Sequence, residues 1–151
     1  MRIVRLKAGD DLTAATALLH RFFAEEGFTT DAATIAANVR TLAGHDTCAL
    51  FVAEADGTTI GVTTVSLEFG VEFGWWAEMG DLYVLPEQRG KGISLALVGA
   101  VEEFLRQRGV AGYQVTVTPD AGARHGLADF YRRLGFGGEG RLILTRLLPP
   151  A

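Results

Sequence analysis

A chain of 151 residues, 48% hydrophobic and 21% charged, fits a single domain (1–151) that buries about two-thirds of the surface its unfolded form exposes, so no disulfide, metal or partner is needed to explain folding. A formal charge of −4 with dispersed basic residues argues against nucleic acid as the main partner and leans toward cationic small molecules. The one cysteine, Cys48, closes no internal disulfide, and beside the scattered His20, His45 and His125 it offers no metal-ligand spacing.

Met1 to Lys7 alternates apolar and charged residues, which predicts a strand and lacks the continuous apolar core of a signal peptide. No later run is long enough to cross a bilayer, so a reducing cytoplasm with no membrane partner is the simplest setting. Asp10 or Asp11 then caps a helix whose apolar positions, from Leu12 through Ala15, Leu18 and Leu19 to Phe22 and Phe23, fall three and four apart. A second helix spans about Asp31 to Leu42 and stops before Gly44. The period then changes. Cys48 to Ala55 and Thr58 to Phe69 read as antiparallel strands joined by Asp56-Gly57, a strong hairpin signal. A glycine-bearing link leads to a strand at about Trp75 to Val84, and after a turn a helix runs from Lys91 or Gly92 to Arg108. Val110 to Thr118 reads as a strand ended by Pro119, Ala123 to Leu134 as a helix closed by Gly135, and Arg141 to Leu148 as a last strand. The order is β-α-α-β-β-β-α-β-α-β: mixed α/β, with a largely antiparallel sheet flanked by helices. A crossover helix makes the strands before and after it parallel neighbours, and ligands of such sheets sit beyond the carboxyl ends of strands.

The turn at such an end is Arg89-Gly90-Lys91-Gly92-Ile93-Ser94. Amides at a helix start have no partner within the helix, the helix dipole adds partial positive charge, and glycines let a ligand approach the bare backbone. A phosphate fits that description. Arg89 and Lys91 are equally well read as phosphate-facing cations or as ordinary solvated residues.

Two segments together resemble the GNAT family of acetyl-CoA-dependent N-acetyltransferases. Asp81 to Ser94 matches its strand-then-turn pattern Arg/Gln-x-x-Gly-x-Gly/Ala, and Phe130-Tyr131-Arg132-Arg133-Leu134-Gly135-Phe136 resembles its late helix signature, within an element order that agrees along nearly the whole chain. The resemblance implies that the pyrophosphate of acetyl-CoA rests on the amides of Arg89, Gly90, Lys91, Gly92, Ile93 and Ser94, while the pantetheine arm adds to the strand at Leu82, Tyr83 and Val84. Ser94 stands where the family has Gly or Ala, and its hydroxyl fits either a phosphate or a cap. Arg124 stands where members often carry Asn, which opens a cofactor contact for a cation and removes the usual amide.

Transfer from a thioester to an amine needs a neutral nucleophile, support for an oxyanion and a proton for the departing thiolate. The resemblance puts Tyr131 near the thioester sulfur as the acid, although its place on the Leu127–Leu134 stripe also suits a core aromatic. Oxyanion support would come from an amide near Leu82 to Val84 where strands splay. Glu78 and Asp81 are candidate bases on the strand lining the site, with Glu78 slightly preferred; three residues apart, they face opposite sides unless a bulge shifts the phase. The adjacent Trp75 and Trp76 point to both faces, one into the core and the other, Trp76, toward a substrate cleft or dimer surface. The family's acceptor entry makes Phe22, Phe23 and Phe28 candidate acceptor-wall residues, Phe22 and Phe28 foremost, and burial explains their helical spacing equally well.

The resulting expectation is a metal-free, acetyl-CoA-dependent enzyme acetylating a primary amine directly, the amine belonging to a small molecule or, as an alternative, to a protein. A non-catalytic acyl-CoA-binding module and a dimerisation domain are the rival classes. Pairing of two copies through the late strands is a family habit that no residue here settles.

Overall fold

The protein is described by a computed structural model covering residues 1–138 and 142–150. Contacts divide it into two compact units, Met1–Thr116 and Val117–Ala151.

The first unit is built on a five-stranded sheet in the order β1-β2-β3-β4-β5. Strand β1 (Arg2–Leu6) is followed by helices α1 (Thr13–Glu25) and α2 (Ala32–Gly44). Asp31, expected as the first residue of this helix, instead caps α2, taking the Thr34 N–H at 2.9 Å. Helix α1 departs from expectation: Leu12 holds the cap position, because the Asp10 carboxylate turns back to the Lys7 N–H at 2.7 Å and Asp11 takes the Thr13 N–H at 2.9 Å. Strands β2 (Cys48–Ala55) and β3 (Thr58–Gly70) form the expected hairpin. Asp56 and Gly57 have φ of 50° and 75°, the two positive values that a twist-matched two-residue turn demands.

Alternation along these strands sorts the core into two layers. Leu50, Val52 and Val62 face Leu18, Leu19, Ile35 and Val39 of α1 and α2. The opposite face meets α3 (Ile93–Gln107), where the Phe51 and Phe104 rings lie 5.9 Å apart. Gly61 lets α3 approach: a Cβ there would stand 3.2 Å from both Ile93 and Leu97. Helix α3 carries the chain from β4 (Gly74–Val84) to β5 (Tyr113–Val115), which pair in parallel as a crossover requires.

Strand β5 is much shorter than the expected 110–118. Its ladder with β4 stops at Met79↔Val115, and residues beyond Val115 find no strand to pair with.

In the second unit the expected single helix is two, α4 (Pro119–His125) and α5 (Leu127–Arg133). Gly126, at φ 60°, ends one and starts the next, because a left-handed residue cannot continue an α-helix. Thr118 caps α4 by accepting from the Ala121 N–H at 3.3 Å. Arg141, first residue of the expected last strand, lies outside the described residues; 142–148 form no strand, and Leu142, Ile143, Leu144, Leu147 and Leu148 are exposed. Apolar alternation there supplies the side-chain pattern, but a strand also needs a ladder partner, and none of the described residues provides one.

Candidate active site

The chain leaves β4 through Leu85, makes a 3-10 turn at Pro86–Gln88, and enters α3 through Gly90 and Gly92 at φ 75° and 78°. A Cβ at either glycine would meet nothing within 4 Å, so the requirement is conformational rather than steric. Ala96 is the first amide to bond into the helix, reaching Gly92 O at 3.0 Å, and among the described residues no backbone acceptor takes the amides of 90–95. Those donors converge at the positive end of a 15-residue helix. Ile93 contributes only its amide, since its side chain is buried in the core, and Ser94 is half-buried beside it.

The two basic side chains of the turn are engaged locally. Lys91 Nζ donates to Gln88 Oε1 at 2.9 Å. Arg89 Nε donates to Val84 O at 3.0 Å, its Nη2 lies 3.8 Å from Glu25 Oε2, and its guanidinium stands 5.6 Å over the Tyr83 ring. Tyr83 in turn donates to Glu25 Oε1 at 2.7 Å, and burial together with that bond pushes its pKa up to about 12. This network ties the end of α1, the end of β4 and the turn into one body. Tyr83 itself is buried among the α1 and α2 side chains, which leaves its backbone alone to offer a ligand.

Strand β4 carries one extra residue. Thr64 pairs with Asp81 and Val65 with Met79, so Gly80 bulges out of the ladder. The bulge sits just where β5 leaves off, and β4 from Gly80 to Val84 therefore presents an unpaired edge within the first unit. Leu85 N–H bonds Ile60 O on β3, so the trans peptide turns Val84 O away from β3, to the side where Arg89 Nε donates to it, and alternation places the Leu82 N–H and C=O on that side too. Within the first unit that edge has the geometry strand addition requires.

The same bulge decides the carboxylates. Ser66↔Glu78 and Thr64↔Asp81 lie two residues apart on the regular β3, so Glu78 and Asp81 share one face, the one that carries α1 and α2. Asp81 accepts from Thr64 Oγ1 at 2.6 Å, and burial raises its pKa above the ordinary aspartate value against the smaller pull of that bond. Glu78 is half-buried, with Thr116 Oγ1 at 3.0 Å and Gln114 Nε2 at 3.5 Å. Trp76 shares this face; its ring lies against Gly112, where a Cβ would come within 2.6 Å, and 4.9 Å from the Phe73 ring. Phe22 packs 5.4 Å from Tyr83, while Phe28, 5.8 Å from Phe23, is exposed.

Tyr131 and Arg124 belong to the second unit. Tyr131 is buried with Phe130 and Phe136 edge-on at 5.1 and 5.3 Å, and desolvation lifts its pKa to about 12. Arg124 Nη2 lies 2.8 Å from Asp120 Oδ2. Sequence reasoning passed over Glu25, Thr64 and Gly80. A glycine inside a strand signals a bulge, so Gly80 was open to detection, whereas nothing local ties Glu25 to Tyr83.

Comparison with known proteins places this arrangement. A model of the acetyltransferase (GNAT) family matches residues 12–136, and the chain belongs to that family. It is 30% identical over 94 residues to an uncharacterised N-acetyltransferase of Methanocaldococcus jannaschii, a match covering 61% of this chain; it spans only 40% of that relative's length. Among solved structures, the aminoglycoside N-acetyltransferase AAC(6')-Iy in complex with CoA superposes with a TM-score of 0.82 at 20% identity, over 97% of this chain and 93% of the other. An aminoglycoside acetyltransferase from an uncultured soil metagenomic sample, in complex with sisomicin, gives 0.77 at 19% identity over 99% and 96%. At such identities the likeness is one of fold.

Proposed function

We propose that the protein is an N-acetyltransferase that moves an acetyl group from acetyl-CoA directly to a primary amine of a small cationic acceptor. One observation carries the reading: an unpaired strand edge from Gly80 to Val84 runs into a turn whose amides, 90–95, have no backbone acceptor. The first suits an arm bearing amides and the second a pyrophosphate, and the residues present therefore fit acyl-CoA. Bound there, acetyl-CoA supplies an activated thioester carbonyl. The family match across 12–136 runs through both compact units, which supports treating 1–151 as one functional domain.

Within this reading the turn amides hold the phosphates and Arg89 braces the turn against Val84 and Glu25 instead of serving as a free cation. Lys91 and Arg124 remain candidates for added charge. An amide of the splayed Gly80–Val84 stretch supports the carbonyl oxygen as it gains charge. Glu78, held by Thr116 and Gln114, accepts the ammonium proton directly or through water, since only about a thousandth of an alkylamine is neutral at pH 7. Asp81 adds negative charge behind it. Tyr131 protonates the departing thiolate, supported by its place in the family's late motif and by a pKa that keeps it protonated at neutral pH.

The acceptor class follows from the face. Glu68 pairs with Trp76, Ser66 with Glu78 and Thr64 with Asp81, so three carboxylates and an aromatic ring share the face that carries α1 and α2. That chemistry favours a compact polyamine or aminosugar over an anionic or apolar acceptor, and the aminoglycoside-acting neighbours are consistent with it. A panel of amines incubated with acetyl-CoA and read by thiol release tests the proposal; polycations are expected to outrun monoamines. CoA binding by calorimetry with no thiol release from any amine would favour a non-catalytic module instead.

A further inference from the structure

At the far end of the first unit lies a second cleft, of about 440 Å³, lined by Arg5, Lys7, Gly44, His45, Asp46 and Arg108 among others. Helix α3 starts at the turn described above and ends here, and its 15 residues span about 22 Å, so the cleft is separate from that turn. Its charge is one-sided. Arg5, Lys7 and Arg108 contribute cations against the single carboxylate of Asp46, and among the described residues no carboxylate comes within ion-pair distance of the three. His45 is tied to Thr47 through Nδ1 at 3.3 Å.

Two of the cations are gathered on one ring. Arg5 lies 4.7 Å and Arg108 4.1 Å from the centroid of Phe104, whose face attracts guanidinium groups that otherwise repel each other. Arg5 Nη2 reaches Cys48 O at 3.4 Å, but its Nε–H is buried with no acceptor. A buried donor on a charged group without a partner is costly, and such groups usually have one. Burial and the Arg108 charge hold Arg5 below the ordinary arginine pKa, against a weaker upward pull from Asp46. The carbonyl ends of α2 and α3 point this way too and oppose an anion, an effect reduced where cap amides hold them: His45 N–H donates to Leu42 O at 3.2 Å, Arg108 N–H to Leu105 O at 3.1 Å and Gly109 N–H to Arg106 O at 3.1 Å.

We propose that this cleft binds a phosphate-type dianion, as the free ion or as the head of a small phosphomonoester, between Arg5, Lys7 and Arg108. A planar guanidinium fork matches such oxygens in two-point fashion, and the Lys7 ammonium adds a point charge. The site stands whether or not the enzymatic reading above holds.

The test is a titration of 15N-labelled full-length protein, at constant ionic strength, with inorganic phosphate, with glycerol phosphate and with chloride as control. Saturating amide shifts at residues 7–9 and 44–46 are expected from the phosphates and not from chloride. Tighter saturation by glycerol phosphate identifies a phosphomonoester as the ligand, and equal or weaker saturation identifies the free ion. Lys7→Gln and Arg108→Gln, both at exposed positions and so expected to fold, should each weaken binding about tenfold, the loss of one charged hydrogen bond. Shifts confined to 89–95, shifts that never saturate, or variants that bind as tightly as the parent would overturn the proposal.

Discussion

Glu78 and Asp81 are both acids of one strand, yet their surroundings separate their roles. Glu78 is held by Thr116 and Gln114, so Glu78→Gln should keep its contacts while losing the base: kcat is expected to fall about a hundredfold, with little change in CoA affinity by calorimetry. Asp81 is raised by burial, which means that folding favours its protonated form. Its contribution to stability is present below the unfolded value of about 3.9 and is lost as pH rises through the higher folded value. Asp81→Asn, which still accepts from Thr64, should therefore gain on the parent as pH rises from 4 to 7 in denaturant melts; parallel stability curves would contradict this. Tyr131→Phe tests the acid directly. Turnover should drop about a hundredfold or more while CoA still binds.

The turn between β4 and α3 owes its shape to glycine conformation and its position to a network. Gly92→Ala meets no steric obstacle, so its cost is the left-handed φ alone, about 1–2 kcal/mol in thermal unfolding, together with a weaker grip on CoA. Arg89 acts on the same turn from the side. Its bonds to Val84 O and its approach to Glu25 position the turn, so Arg89→Ala should raise the KM for acetyl-CoA about tenfold and change kcat less. An equal fall in kcat with KM constant would instead put Arg89 at the reacting atoms.

At the scale of the whole protein, distance argues against a covalent relay through its thiol. Its one thiol, Cys48, pairs with Ser66, which in turn pairs with Glu78, placing it two strands and about 10 Å from the proposed base. That distance is consistent with the proposed direct transfer within a ternary complex. Initial-rate plots should intersect and Cys48→Ala should retain activity; parallel lines abolished by that change would show an acyl-cysteine intermediate. Helix α3 also gives the first unit two basic-to-neutral ends with different donors, bare amides at its start and side-chain guanidiniums at its finish.

Local sequence was enough for what depends on neighbours in the chain. The Asp56-Gly57 hairpin, the glycine-opened turn and the period of α3 each draw on residues within a few positions, and all stand in the structure. Helices α4 and α5 show the limit of that reasoning: the expected helix of 123–134 runs through Gly126, and the left-handed residue there cuts it. What required the tertiary structure was everything set by pairing across strands. Whether Glu78 and Asp81 share a face depends on the Gly80 bulge, whether β4 has a free edge depends on where β5 stops, and whether Arg89 is free depends on Glu25 from a helix far away in sequence. A strand's side-chain pattern names its faces only relative to each other; the register with its neighbours decides which one a ligand meets.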